Sequence, residues 1–213
     1  MDVIAIPLKD KCHRYGDGGS RIVLDWLIEN VKPMLTPGSF IAGGAVRDLL
    51  MGVYPRKDID VFCTDAGAYL KFVSGMNGRN KPTGLPNMVS KFAMTWEKVL
   101  SDPTHPDITC RYIPIQAVSL VIGSPQYVIG EFDFTVSQFA TDLTTLWTTY
   151  QALTNLSERQ IVVNKITYSV ASVRRFARLA NLGFTCNFEQ AGEFFVDLKD
   201  APYQNLLDDA GEY

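Results

Sequence analysis

The sequence has only two histidines, His13 and His105, and four scattered cysteines, Cys12, Cys63, Cys110 and Cys186, with no Cys-x-x-Cys pair. That leaves no zinc cluster and no disulfide framework, and predicts reduced, mostly buried thiols. Long apolar runs are also missing: Ile115–Ile122 is interrupted by Gln116 and Ser119 and falls far short of the roughly 20 residues that span a bilayer. Near the N-terminus stand Asp2, Lys9, Asp10 and Lys11, where a secretory signal needs uninterrupted apolar sequence, so the expectation is a cytoplasmic protein without membrane contact. Neither sign of charge dominates. Twenty Lys and Arg against 23 Asp and Glu give −3, which excludes a uniformly basic surface that grips nucleic acid through many phosphates.

What is present suits one globular domain with room for a helical appendage: 213 residues, 46% of them hydrophobic and 20% charged. Ile22, Val23, Trp26, Leu27 and Val31 follow a helical period after a capping Ser20, and Pro33 stops the helix. Ser39–Gly43 then reads as a short strand running into Gly43-Gly44 and a helix over Ala45–Met51. Asp58–Cys63 alternates, which puts Asp58 and Asp60 on one strand face with Phe62, and Ile59, Val61 and Cys63 on the other.

Ala66–Ser74 predicts a helix, Met76–Asn87 a mobile loop placed to cover a site, and Val89–Leu100 and Ile108–Val121 strands. Ser124-Pro125 suits a helix start, and Phe132–Ala140 alternates as a strand carrying Asp133. A strand at Gln160–Val163 and a basic helix over Ser169–Asn181, closed by Gly183, complete the reading. No internal repeat is present. The oligomeric state is not legible.

The chemistry concentrates in Gly43-Gly44, thirteen residues, then Asp58-Ile59-Asp60. Two glycines after a strand let the main chain approach a triphosphate, and a following helix start presents free N–H groups to it. Two carboxylates on one strand face offer hard oxygen ligands that suit Mg²⁺, and a third from an adjacent strand would complete a two-metal site. Cys12-His13 and His105 lack partners for catalysis, Trp96 and Trp147 read as core, and Lys91, Lys98 and Arg111 are possible groove residues that the sequence does not place.

On these residues the chain resembles the DNA polymerase β-like nucleotidyltransferase superfamily, with Gly-Gly followed after about a dozen residues by Asp-x-Asp. Phe40–Phe62, FIAGGAVRDLLMGVYPRKDIDVF, looks most like the head motif of class II tRNA CCA-adding enzymes and bacterial poly(A) polymerases. The resemblance implies that Gly43 and Gly44 cradle phosphates, Arg47 contacts the triphosphate, Asp48 orders the turn, and Asp58 and Asp60 hold metal. In SPQYVIGEFDFTVSQFA, Phe-Asp resembles a third-carboxylate strand, making Asp133 the preferred third ligand. A second register aligns Asp-Phe-Thr with a motif whose two arginines are here Glu131-Phe132. Val173–Phe184 is similar to the family's neck helix, making Arg174, Arg175 and Arg178 candidates for nucleotide contact.

The implied fold is α+β, a small mixed-sheet nucleotidyltransferase head over residues 1–165 with a neck-like helical segment over 166–213. The implied activity is Mg²⁺-dependent transfer of NMP, AMP first among them, from an NTP to a hydroxyl on an RNA 3′ end, a protein or a small molecule, with Asp58, Asp60 and Asp133 as catalytic metal ligands. The sequence ends about thirty residues past the neck-like helix, so a compact acceptor is expected rather than CCA addition. The alternative is a nucleotidyltransferase-fold binding protein without turnover, an antitoxin or host-interaction module.

Overall fold

The computed structural model describes residues 1–12, 19–79, 85–100 and 111–201. In chain order these form β1 (Val3–Pro7), α1 (Leu8–Lys11), α2 (Gly19–Asn30), β2 (Ser39–Ala42), α3 (Gly44–Leu50), β3 (Ile59–Cys63), α4 (Ala66–Arg79), β4 (Met88–Val89), β5 (Ala93–Leu100), β6 (Arg111–Val118), α5 (Pro125–Gly130), β7 (Ala140–Thr141), β8 (Thr145–Thr149), α6 (Tyr150–Glu158), α7 (Ser169–Asn181) and α8 (Phe188–Asp200). The strands make one sheet of eight in the order β1-β8-β7-β2-β3-β6-β5-β4. Only β3 and β6 are parallel neighbours; the other pairs are antiparallel. The fold is thus α+β with a mixed sheet, larger than the small one expected.

The sheet separates two apolar layers, and β3 shows why. Ile59, Val61 and Cys63, fully buried, meet α2, α3 and α4 through Leu27, Val46 and Phe72. Phe62 faces the other way, into a smaller cluster with Phe40, Ala42, Val128 and Ile129, which α5 covers. Ser124 caps α5 by accepting from the Tyr127 N–H at 3.3 Å, and Pro125 occupies its first turn, where its missing donor costs nothing. A third cluster joins Phe134, Val136 and Ile161 to Leu179 of α7, Phe184, and Phe194 of α8. It therefore draws on both sides of residue 165.

Several expectations change. Phe132–Ala140 is not a strand: Phe134 makes an isolated bridge to Val163, Thr135–Ser137 is a 3-10 turn, and only Ala140–Thr141 joins the sheet. Gln160–Val163 likewise gives isolated bridges rather than a strand. Met76–Arg79 continues α4 instead of opening a loop, because Met76 is fully buried and Asn77 accepts the Trp96 indole N–H at 3.0 Å. The rest of that predicted loop includes residues 80–84, which lie outside the described residues, as do His13, His105 and Cys110. Among the described residues, no helix is long and apolar enough to cross a membrane.

Candidate functional site

The glycine turn and the aspartate pair meet at one end of two central strands. Ile41 on β2 pairs with Val61 on antiparallel β3, and the same register carried onward sets Ala42 beside Asp60 and Gly43 beside Ile59. Gly43 has φ +80 and ψ −135, a conformation essentially reserved for glycine, and a Cβ there would stand 3.4 Å from the Phe132 ring. Its N–H is donated to the Phe139 carbonyl at 2.9 Å, and its carbonyl accepts from the Arg47 N–H to start α3. The sharp turn is thus held from both sides.

Arg47 and Asp48 lie beneath this turn and are nearly fully buried. The Arg47 guanidinium donates from Nε at 3.1 Å and Nη2 at 2.8 Å to Asp48 Oδ1. Nη2 lies 3.5 Å from where a Gly44 Cβ would sit. Asp58, just before β3, and Asp60, on it, are both partly exposed. Asp60 shares its face with Phe62, as alternation requires, and stands opposite Gln116 of β6 in the parallel register. Their oxygen donors fit Mg²⁺.

Asp133 does not join them. It sits in a bend between Phe132 and Phe134, 4% exposed, and its Oδ2 accepts from the Ser172 hydroxyl at 2.8 Å and from Arg175 Nη1 at 2.6 Å. Its carbonyl accepts the Asn164 N–H at 2.7 Å, pinning the bend to the segment before α7. Among the described residues no three His, Cys, Asp or Glu side chains converge closely enough to hold a metal ion. Asp133, the residue expected as a third ligand, here meets Ser172 and Arg175 of α7. Ser172, fully buried, is a partner the sequence reading missed, since nothing in a helical serine marks an acceptor 39 residues away.

The neighbouring Phe132 ties this bend to the glycine turn, lying against Gly43 and meeting Phe62 edge-on with ring centroids 5.9 Å apart. Where the resembling motif has arginines, Glu131 instead pairs with Lys165 at 2.5 Å. Arg174 and Arg178 share a face of α7 by their four-residue spacing, and Arg175 is half exposed while held by Asp133. A second anchor for α7 is Tyr168, whose ring lies 6.3 Å from that of Phe92.

Lys98 pairs with Ile113 and so points to the helix-covered layer, away from Asp60; burial, and then the Arg79 charge, hold its pKa below the usual lysine value. Burial pushes the Cys63 thiol up to about 11, with Asp65 adding to the rise, so this core residue is not a nucleophile. Trp96 is fully buried and Trp147 packs beside Phe40, both as core.

Among solved structures the chain is similar to CCA-adding enzymes: an apo form (TM-score 0.52, 18% identity, 92% of this chain and 46% of that one), a complex with CTP (0.53, 17%, 94% and 46%) and a complex with ATP (0.52, 19%, 94% and 46%). At such identity the likeness establishes the nucleotidyltransferase fold, and the chain spans about half the length of these enzymes. No curated protein sequence matches it. A family model described as Gabija anti-defense 2 family protein matches residues 20–159, about two thirds of the sequence and the whole stretch from α2 through α6, including the glycine turn and both aspartates. The chain belongs to the Gabija anti-defense 2 family.

Proposed function

We propose that the protein transfers a nucleoside monophosphate, AMP first among them, from an NTP to a hydroxyl on an RNA end, a protein or a small molecule, and that this transfer serves the anti-defense role its family is named for. The observation that supports it is the meeting of the Gly43-Gly44 turn with Asp58 and Asp60 at one end of β2 and β3. Asp58 and Asp60 are the residues that would hold Mg²⁺, which supplies neutralisation of the charge that builds on the α-phosphate and the departing pyrophosphate.

The chain's own residues supply the rest. Gly43, having no Cβ, lets the main chain come against the phosphates, and the Arg47–Asp48 pair keeps the turn in that shape. Arg174 and Arg178 face the base, while Arg175, tied to Asp133, fixes how far α7 stands from the turn. The acceptor oxygen bonds to the α-phosphorus as the bond to the bridging α–β oxygen breaks. One of the two aspartates takes the acceptor's proton.

The family description also favours a second reading, a module that binds nucleotide and a component of the defence without turnover. Incubation with RNA and protein fractions and Mg²⁺ separates the two. Transfer predicts that label from α-³²P-NTP, but not from γ-³²P-NTP, becomes fixed to an acceptor, and that Asp58→Ala/Asp60→Ala abolishes it. Nucleotide binding with no fixed label in any fraction favours the second reading.

A further inference from the structure

We infer that the outer face of α7 and α8 is an interface for a second copy of this chain, a two-fold dimer in which α8 of each copy lies against α7 of the other. The inference is independent of the nucleotidyl-transfer reading. Phe188, Phe195 and Val196 of α8 are 97%, 67% and 62% exposed. At about 100° per residue, Phe188, Gly192 and Phe195 fall on one stripe, with Val196 at its border. This stripe is separate from the packed side of α8, where Phe194 and Leu198 join the third apolar cluster. The helix thus carries apolar surface well beyond what its own chain buries. Two exposed phenylalanines on one stripe make a patch, unlike apolar residues scattered singly.

The matching shape is on α7. Val173, Ala177 and Ala180 are exposed and line up at i, i+4 and i+7 beside Phe176. Phe176 stacks on Phe194 with ring centroids 4.7 Å apart. Phe176 is five residues before the end of α7 and Phe194 six after the start of α8, so the helices run side by side in opposite directions. In right-handed helices paired this way, both stripes turn to the same outer side, away from the sheet. The small side chains of the α7 stripe leave the groove that the large rings of an α8 stripe need.

Charge then selects the occupant. Glu189, Glu193 and Asp197 follow one another at four-residue spacing beyond the α8 stripe, a like-charge row that costs stability and makes no ion pair among the described residues. The same row repels nucleic acid and anionic lipid. Beyond the α7 stripe stand Arg174 and Arg178. Turning a second copy about an axis parallel to the helices sets each acidic row beside the other copy's arginine flank, and each large stripe on a small one. An axis across the helices would set acid on acid. At about 150–250 Å² per phenylalanine, the four rings of the parallel-axis dimer bury roughly 500–800 Å² at these exposures. Val173, Val196 and the charged flanks bring the total to about the 1,000 Å² that a specific interface clears.

The test is sedimentation velocity of the full chain over a hundredfold range of concentration, up to about 0.2 mM. Wild type is expected to show a monomer–dimer equilibrium that added salt weakens. Phe188→Ser/Phe195→Ser should raise the dimer dissociation constant at least about tenfold, while the Tm of dilute protein stays unchanged because both rings face water in the monomer. Glu193→Arg/Asp197→Arg should weaken the dimer as well, and adding Arg178→Glu to that variant should recover part of the loss. A wild type that stays monomeric at the highest concentration would overturn the inference without any variant. So would a dimer that survives loss of both rings, one that acid reversal leaves unmoved or strengthens, or a charge-reversed dimer that Arg178→Glu does not improve.

Discussion

Replacing Asp133 by alanine should destabilise the protein, and the structure says by what route. The carboxylate is buried and has two side-chain donors, the buried Ser172 hydroxyl and the half-exposed Arg175 guanidinium. Arg175 reaches water when released, so its loss as a partner is worth up to about 1 kcal/mol. Ser172 has no such escape, and an orphaned buried hydroxyl costs about 1–3 kcal/mol. Asp133→Ala is therefore expected to lose about 1–4 kcal/mol, which for a chain of this size lowers Tm by roughly 2–16 °C. Because most of that loss is the stranded hydroxyl, adding Ser172→Ala to Asp133→Ala should recover about 1–3 kcal/mol rather than cost more. Denaturant midpoints of the two single variants and the double variant check this. An Asp133→Ala protein within about 0.5 kcal/mol of wild type, or a double variant whose losses simply add, would refute the view that Asp133 clasps α7.

Other consequences follow from the same geometry. Gly43→Ala forces a side chain into a backbone conformation that costs about 1–3 kcal/mol, and should lower Tm and abolish nucleotide binding together; a stable variant that still binds would show that the turn is not the phosphate cradle. Arg47→Ala leaves Asp48 buried without its counter-charge and should cost about 3–5 kcal/mol by urea unfolding, whereas an exposed pair would cost almost nothing. Burial raises both the Cys12 and Cys63 thiols to about 11 from an ordinary 9.0. Folded protein at pH 8 should therefore react with a thiol reagent at partly exposed Cys186 well before either. Since the unfolded thiols deprotonate first, stability should fall as pH rises from 9 toward 11, and a flat stability profile there would contradict their burial.

The stretch Phe40–Phe62 was legible because everything it does is local. A strand, a glycine turn, a short helix and an alternating strand are each written in adjacent residues, and β2, α3 and β3 appear where those signals lie. The strand expected over Phe132–Ala140 was misread for the opposite reason. The alternation through Phe132–Ala140 is genuine, but two of its polar positions do not face water. Asp133 and Thr135 are buried and met by Ser172, Arg175 and Asn155, whose Nδ2 donates to the Thr135 hydroxyl at 2.6 Å. Partners 20 to 42 residues away leave no mark in a local pattern.

The outer strands β1 and β8, and the helices α6 and α8, were not anticipated either. β1 is an edge strand whose five residues make sense only against Thr145–Thr149, across most of the chain. The start of α6 is set by one cap, Thr149 accepting from the Ala152 N–H, and that of α8 by a capping box in which Asn187 accepts from the Gln190 N–H and the Gln190 side chain accepts from the Asn187 N–H, signals too small to separate helix from loop in isolation. Gln116 was visible only as an interruption in an apolar run. Its place beside Asp60 depends on a register between strands more than fifty residues apart.

In the function proposed here, the glycine turn and the Asp58–Asp60 pair form a metal-dependent nucleotide site. The most direct measurement is the thermal unfolding of wild type and of Asp58→Ala/Asp60→Ala with each NTP, with and without Mg²⁺. At one hundred times the dissociation constant, binding stabilises by about 2.7 kcal/mol, or roughly 5–11 °C for a chain of this length. Such a rise is expected for at least one NTP, dependent on Mg²⁺ and lost in the double variant. No rise with any NTP, or a rise that survives removal of both aspartates, would contradict it.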